Sequence, residues 1–100
     1  MNLIFSYVNK TMQPWNNGST TSTILLYENR VEVSSRVVMD GKVYASQYMW
    51  SIKNIKRVDL INSPQEVKLI IDNSPALKAP KTADAVANLE KFVQIVKEML

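Results

Sequence analysis

The chain has 100 residues, of which 46% are hydrophobic and 21% charged, and its net charge is +3. This length favours one domain, and the composition is that of a globular protein that folds without disulfides or metal. The sequence contains neither Cys nor His, which excludes a disulfide framework, a zinc–thiolate site and the commonest general base. We therefore predict a protein that is not an enzyme and that has no cofactor and no metal site.

The sequence predicts neither insertion into a membrane nor secretion. No run of residues is apolar over the roughly 20 positions that a membrane-spanning helix needs. The segment from Met1 to Val8 lacks the positively charged start and the cleavage site of a secretory signal. We predict a cytoplasmic protein with no integral membrane segment.

The first 22 residues are predicted to add one strand and one loop. Residues 2–9 are rich in aromatic and β-branched side chains, as strands are. Residues 10–22 are polar, contain Pro14 and an Asn-Asn-Gly turn sequence, and predict a long surface loop. Trp15 within this loop either folds back onto the core or is an exposed binding anchor.

Five further strands, joined largely by hairpins, are predicted between residues 23 and 72. They cover residues 23–28, 31–39, 42–45, 55–61 and 66–72, with residues 47–54 either extending the third or connecting it to the fourth. Asp40-Gly41 is the strongest hairpin signal, because apolar runs flank it on both sides. Ser35 interrupts the alternation of its strand and predicts a bulge or a bend near residues 34–36. Residues 73–81 contain two prolines and are predicted to connect the last strand to a helix.

A helix is predicted over residues 82–100. Its apolar residues recur three and four apart and share one face: Leu89, Phe92, Val93, Val96, Met99 and Leu100. Thr82 suits the N-cap position, and Asp84 suits the positive end of the helix dipole. Consecutive strands with short turns imply antiparallel pairing. The predicted fold is α+β and mainly β, a curled antiparallel sheet or partly open barrel of six to seven strands capped by this helix.

The order of these motifs resembles that of bacterial pleckstrin-homology-like (PH/GRAM-type) small domains. The resemblance lies in an apolar strand, a Val-x-Val strand, a glycine turn followed by Tyr, an Ile-x-x-Ile step and the terminal helix, here Ile24–Glu28, Val31–Arg36, Asp40–Tyr44, Ile52–Val58 and residues 82–100. The resemblance implies a single PH-like domain over residues 1–100, with residues 1–22 as a possible added strand and loop. It also implies a docking module for lipids, peptides or other proteins.

An aromatic group is the predicted contact site for a partner protein. Tyr44, Tyr48 and Trp50 alternate along the chain and share one side of an extended strand, while Met49 faces the other side. Because both sides are apolar, we expect one side in the core and the other in a protein interface. With Trp15, these aromatic residues predict a non-catalytic binding or regulatory module. Its partner is another protein or a second copy of the chain, and an added edge strand is one form of such contact.

The alternative is a peripheral module that binds anions. Lys53, Lys56 and Arg57 are the densest basic group, and Lys68 lies on the following strand. Such a group suits acidic lipid headgroups or a nucleic-acid backbone. We favour the other interpretation of this group, a solvated strand edge whose charges prevent aggregation of sheets. Only one residue of the predicted N-terminal loop is basic, although lipid-binding domains of the resembled family concentrate basic residues there.

Overall fold

The computed structural model describes residues 2–13 and 18–100, which form seven β-strands followed by one α-helix. The elements are β1 (Leu3–Gln13), β2 (Gly18–Tyr27), β3 (Arg30–Met39), β4 (Lys42–Ser51), β5 (Val58–Asn62), β6 (Glu66–Ile71), β7 (Ser74–Pro80) and α1 (Ala83–Met99). A short 3₁₀ helix, Ile52–Asn54, follows β4.

The strands are divided between two antiparallel sheets. One sheet has the order β1-β2-β3-β4 and the other the order β5-β6-β7. The predicted mainly-β fold with a C-terminal helix is confirmed. The expectation of one continuous curled sheet is corrected to two sheets, and neither closes into a barrel within the described residues.

The chain also divides into two compact units, Met1–Met49 and Trp50–Leu100. The first unit contains β1, β2, β3 and most of β4. The second contains the 3₁₀ helix, the three-stranded sheet and α1.

The predicted loop over residues 10–22 is largely strand, because β1 and β2 extend into it from both ends. Its Ser and Thr residues, which in sequence favour turns, lie here in cross-strand pairs such as Thr11↔Thr20. Thr is β-branched and fits a paired strand well. Between the two strands, residues 14–17 lie outside the described residues, and Trp15 is one of them.

The buried face of the four-stranded sheet comes from β1, β2 and β3. Buried side chains occur at alternate positions along each strand: Phe5, Tyr7, Ile24, Leu26, Val31 and Val33. β2 pairs with β3 in one continuous register through Ser34, Ser35 and Arg36, so the predicted bulge is wrong. Ser35 lies opposite Ser22, itself buried, and a polar pair therefore continues the alternation without a shift.

Two tight turns close hairpins by the same backbone conformation. Asp40 and Gly41 join β3 to β4 with φ values of 52° and 76°, as a type I′ turn requires. This hairpin is confirmed. Asp72 and Asn73 join β6 to β7 with φ values of 49° and 69°. β7 was not predicted because it contains two prolines, which the structure tolerates because β7 is an edge strand.

The helix α1 packs against β5 and β6 in the second unit. The backbone N–H of Ala85 donates to the Thr82 hydroxyl at 3.0 Å, so the predicted cap is confirmed. The side chains that α1 buries are Ala85, Leu89, Phe92, Val93 and Val96.

In the part of the chain that the structure describes, no helix combines the length and the apolar character that crossing a membrane requires.

Replacing Thr82 with Ala should lower the free energy of unfolding by about 1 kcal/mol, because one N–H of the first helical turn loses its acceptor. Thr82→Ser keeps a hydroxyl at the same place and should keep most of this stability. Urea unfolding followed by circular dichroism measures both changes. Equal losses of unfolding free energy in Thr82→Ala and Thr82→Ser would show that the hydroxyl cap does not stabilise the helix.

Candidate interaction surface

β4 is an edge strand whose two faces are both exposed. It is the last strand in the order β1-β2-β3-β4, and every residue from Lys42 to Met49 is exposed. On one face Tyr44 and Tyr48 are 53% and 61% exposed, and on the other face Val43 and Met49 are 53% and 64% exposed. Large apolar side chains therefore lie on both sides of an open backbone edge, which we call the β4 edge (residues 43–49).

The β4 edge lacks the features that usually protect strand edges. Such edges are normally short, bulged, or interrupted by charged residues or proline. β1 has a bulge between Leu3 and Phe5 and carries Lys10. β7 contains two prolines and β5 has only five residues. Residues 43–49 contain no charge and no proline, so β4 is the least protected edge in the described parts of the two sheets.

Of the four predicted contact residues, two share one exposed face, one is half-buried and one lies outside the described residues. Tyr44 and Tyr48 share one exposed face, as the alternation predicts. The expected burial of one side of the strand is absent from residues 43–49, because the buried alternation of the sheet ends at β3. Trp50 is half-buried and falls in the second unit. Trp15 lies outside the described residues, and the prediction for it stays a prediction.

Polar side chains of β3 and β4 line a groove on one side of the β4 edge. The two strands and β2 line an open groove of about 410 Å³ formed by Thr21, Thr23, Ser34, Ser35, Arg36, Ala45, Ser46 and Gln47. A two-residue turn sets Ser35 opposite Ser46. Residues 34–36 of β3 and residues 45–47 of β4 both line the groove, which agrees with that register. The Gln47 amide donates to the Glu32 carboxylate at 3.2 Å, and Glu32 also pairs with Arg30.

The alternative anion site has its backbone donors occupied by the protein itself. The N–H groups of Lys56 and Arg57 both donate to Oδ1 of Asp72, at 2.8 and 2.9 Å. The N–H of Asp72 donates in return to the Arg57 carbonyl at 2.9 Å. The Arg57 side chain pairs with Asp59 at 2.6 Å. Two carboxylates therefore lie where an external anion would bind.

The four basic residues predicted for that site lie on three parts of the second unit. Lys53 is exposed on the 3₁₀ helix, and Lys56 and Arg57 are exposed before β5. Lys68 is half-exposed on β6, directly opposite Lys78 of β7. This Lys–Lys pair is a second basic feature, and the sequence does not predict it because it depends on the unpredicted strand β7.

A further groove of about 410 Å³ lies between α1 and β5. It is lined by Leu60, Glu90, Val93, Gln94, Lys97 and Glu98. Leu60 and Val93 make its apolar floor, and charged side chains of α1 make its rim. The sequence carries no signal for this groove, because it requires the packing of α1 on β5.

Among the described residues, no group of three or more Asp, Glu, His or Cys side chains could hold a metal ion.

Comparison with protein-family models, with curated proteins and with solved structures gives no match to this chain. The resemblance to pleckstrin-homology-like domains stays a prediction. The candidate surfaces therefore rest on the geometry of the chain itself.

Replacing Asp72 with Ala should lower the free energy of unfolding by about 1–2 kcal/mol. The change removes the acceptor of two backbone N–H groups and leaves a less suitable residue at positive φ. Asp72→Asn keeps an acceptor oxygen and tolerates that φ, so its loss should be smaller. Asp59→Ala breaks only an exposed ion pair and should cost at most about 0.5 kcal/mol. Chemical unfolding of the three variants tests this order, and an Asp72→Ala variant no less stable than Asp59→Ala would contradict it.

Proposed function

We propose that this protein is a non-catalytic binding module that acts through protein–protein contact, with a different protein or with a second copy of the chain. The observation that supports this proposal is the β4 edge, a long uncharged edge strand with apolar side chains on both faces. An added strand on such an edge gains affinity from backbone hydrogen bonds and specificity from alternate side chains. Tyr44 and Tyr48 are the residues whose contact would give most of that specificity.

A PH-like identity and a cytoplasmic location are parts of the same proposal. Seven antiparallel strands followed by one C-terminal helix are in keeping with the resembled family, whose domains serve as docking modules. The absence of cysteine from the sequence suits a reducing compartment. Fold analogy alone does not supply a function, so the proposal rests on the exposed strand.

A photoreactive benzophenone side chain in place of Tyr44 should form covalent adducts with protein when cells that express the variant are irradiated. The reason is that position 44 lies within the contact surface. The same side chain in place of Ala87, exposed on α1, is the matched control and should give only background. Denaturing electrophoresis with mass spectrometry identifies the adducts. Equal yields at the two positions, or no protein adduct at position 44, would contradict the proposal.

The second candidate function is binding of acidic lipid headgroups or nucleic-acid backbone through Lys53, Lys56, Arg57 and Lys68. The observation in its favour is the direct cross-strand pairing of Lys68 with Lys78. Against it, Asp72 occupies the backbone N–H groups of Lys56 and Arg57, and Asp59 pairs with the Arg57 side chain. The geometry therefore favours contact with protein.

Vesicles containing anionic lipid, and a single-stranded oligonucleotide, should bind the protein only weakly at low salt and not detectably at about 0.15 M salt. Exposed charges attract weakly through such a solution, and internal carboxylates already neutralise part of the basic group. Co-sedimentation and fluorescence anisotropy over a salt series measure this. Affinity that persists at 0.15 M salt, and that Lys53→Gln with Lys68→Gln abolishes, would favour the second candidate instead.

A further inference from the structure

We propose that a second copy of this chain pairs with the β4 edge, so that two four-stranded sheets join antiparallel about a twofold axis at Ser46. This inference rests on the proposed function and specifies the partner. A twofold interface is self-complementary, because each residue that contacts another is contacted by it in turn. The sequence of the β4 edge suits such an interface, because tyrosines and apolar residues recur at equal distances on either side of Ser46.

Residues of similar type lie at equal distances on either side of Ser46 in the β4 edge. One residue away lie Ala45 and Gln47, two away lie two tyrosines, and three away lie the apolar residues Val43 and Met49. An antiparallel pair centred on Ser46 therefore sets tyrosine against tyrosine on one face and valine against methionine on the other. Aromatic and apolar cross-strand pairs of this kind stabilise sheets.

The turn between β3 and β4 decides which backbone groups point to the open edge. In a hairpin with a two-residue turn, here Asp40-Gly41, the flanking residues Met39 and Lys42 form the closing hydrogen-bonded pair. Every second residue from Lys42 then directs its N–H and C=O to β3. The residues that direct these groups to the open edge are those at positions 43, 45, 47 and 49.

An axis at Ser46 agrees with this alternation. It sets Ala45 opposite Gln47 of the second copy, and both have their N–H and C=O directed outward, so they can form a hydrogen-bonded pair. Ser46 then lies opposite itself, and Tyr44 lies opposite Tyr48 of the second copy, in pairs of the non-hydrogen-bonded kind. Side chains approach more closely in these pairs, which suits contact between the tyrosines.

Charge favours a second copy over a charged partner. A twofold axis sets each residue near its own copy, so a charged edge would repel itself, but residues 43–49 carry no charge.

The edge is also small, since seven residues extend over roughly 24 Å. Standard stable interfaces bury about 1,600 Å², and an edge of this size lies below that range. We therefore expect a dimer that dissociates on dilution.

Single cysteines test the axis to within one residue, because the natural sequence has none. Opposed Ser46 Cα atoms should lie about 4.5 Å apart, within the about 4.4–6.8 Å that a disulfide spans. Ser46→Cys should therefore form a disulfide-linked dimer under mild oxidation. Ala45→Cys and Gln47→Cys are matched controls, because each residue would lie about 9 Å from its own copy. A mixture of these two controls should form a mixed disulfide, since positions 45 and 47 face each other.

The rate of disulfide formation, followed by non-reducing electrophoresis, decides the outcome. We expect Ser46→Cys to react about tenfold faster than either control alone, as the distances require. Equal rates for all three variants would overturn the inference. If the benzophenone at position 44 then captured a different protein, the proposed function would stand and only the self-pairing would fail. If it captured nothing, both would fail.

Charged variants at the axis provide a second measurement that needs no oxidation. Ser46→Lys and Ser46→Asp should each weaken the dimer about fivefold or more, because like charges directly opposite repel. An equimolar mixture should restore it, since Lys then faces Asp. Ser46→Thr and Ser6→Lys, the latter at an exposed position of β1, should leave it unchanged. Sedimentation velocity over a dilution series measures these states, and a wild-type protein that stays monomeric at high concentration would overturn the inference.

Discussion

Each backbone N–H and C=O group in a β-sheet needs a hydrogen-bond partner or water, and this requirement shapes the whole molecule. Seven strands in two sheets leave four edges in the described chain. Three of them are protected by a bulge with a lysine, by proline, or by short length. β4 is the exception, and its open backbone lies between apolar side chains. The proposed function therefore rests on β4, the edge that lacks this protection.

The same requirement explains why the basic group is a weaker candidate. Two consecutive N–H groups at residues 56 and 57 make a ready anion site, but Asp72 already fills it from the adjoining turn. The positive φ of Asp72 places its carboxylate there. The contact ties the chain before β5 to the end of β6, and its role is structural.

The two units bury their apolar residues in different ways. In the second unit α1 lies on β5 and β6 and buries Phe92 and Leu89 completely. In the first unit the buried face ends at β3, and β4 carries its apolar residues into solvent. Burial therefore accounts for the apolar pattern of α1, whereas the large apolar side chains of residues 43–49 in β4 are exposed.

Local features were determined by the sequence alone. The spacing of Leu89, Phe92 and Val96 predicts α1, and Asp40-Gly41 predicts its hairpin, because helix periodicity and positive φ depend on neighbouring residues only. Predictions that depend on strand partners were less successful. Ser and Thr of residues 10–22 favour a loop until β1 and β2 pair, and the prolines of β7 disfavour a strand until it occupies an edge.

The candidate surface shows the same division. The sequence places Tyr44 and Tyr48 on one side of a strand and Met49 on the other, which alternation alone requires. The sequence cannot distinguish a strand buried on both faces from an exposed edge strand, because both can carry large apolar residues on the two faces. Only the tertiary structure decided this, since the position of β4 at the end of the sheet order determines which of its side chains meet solvent.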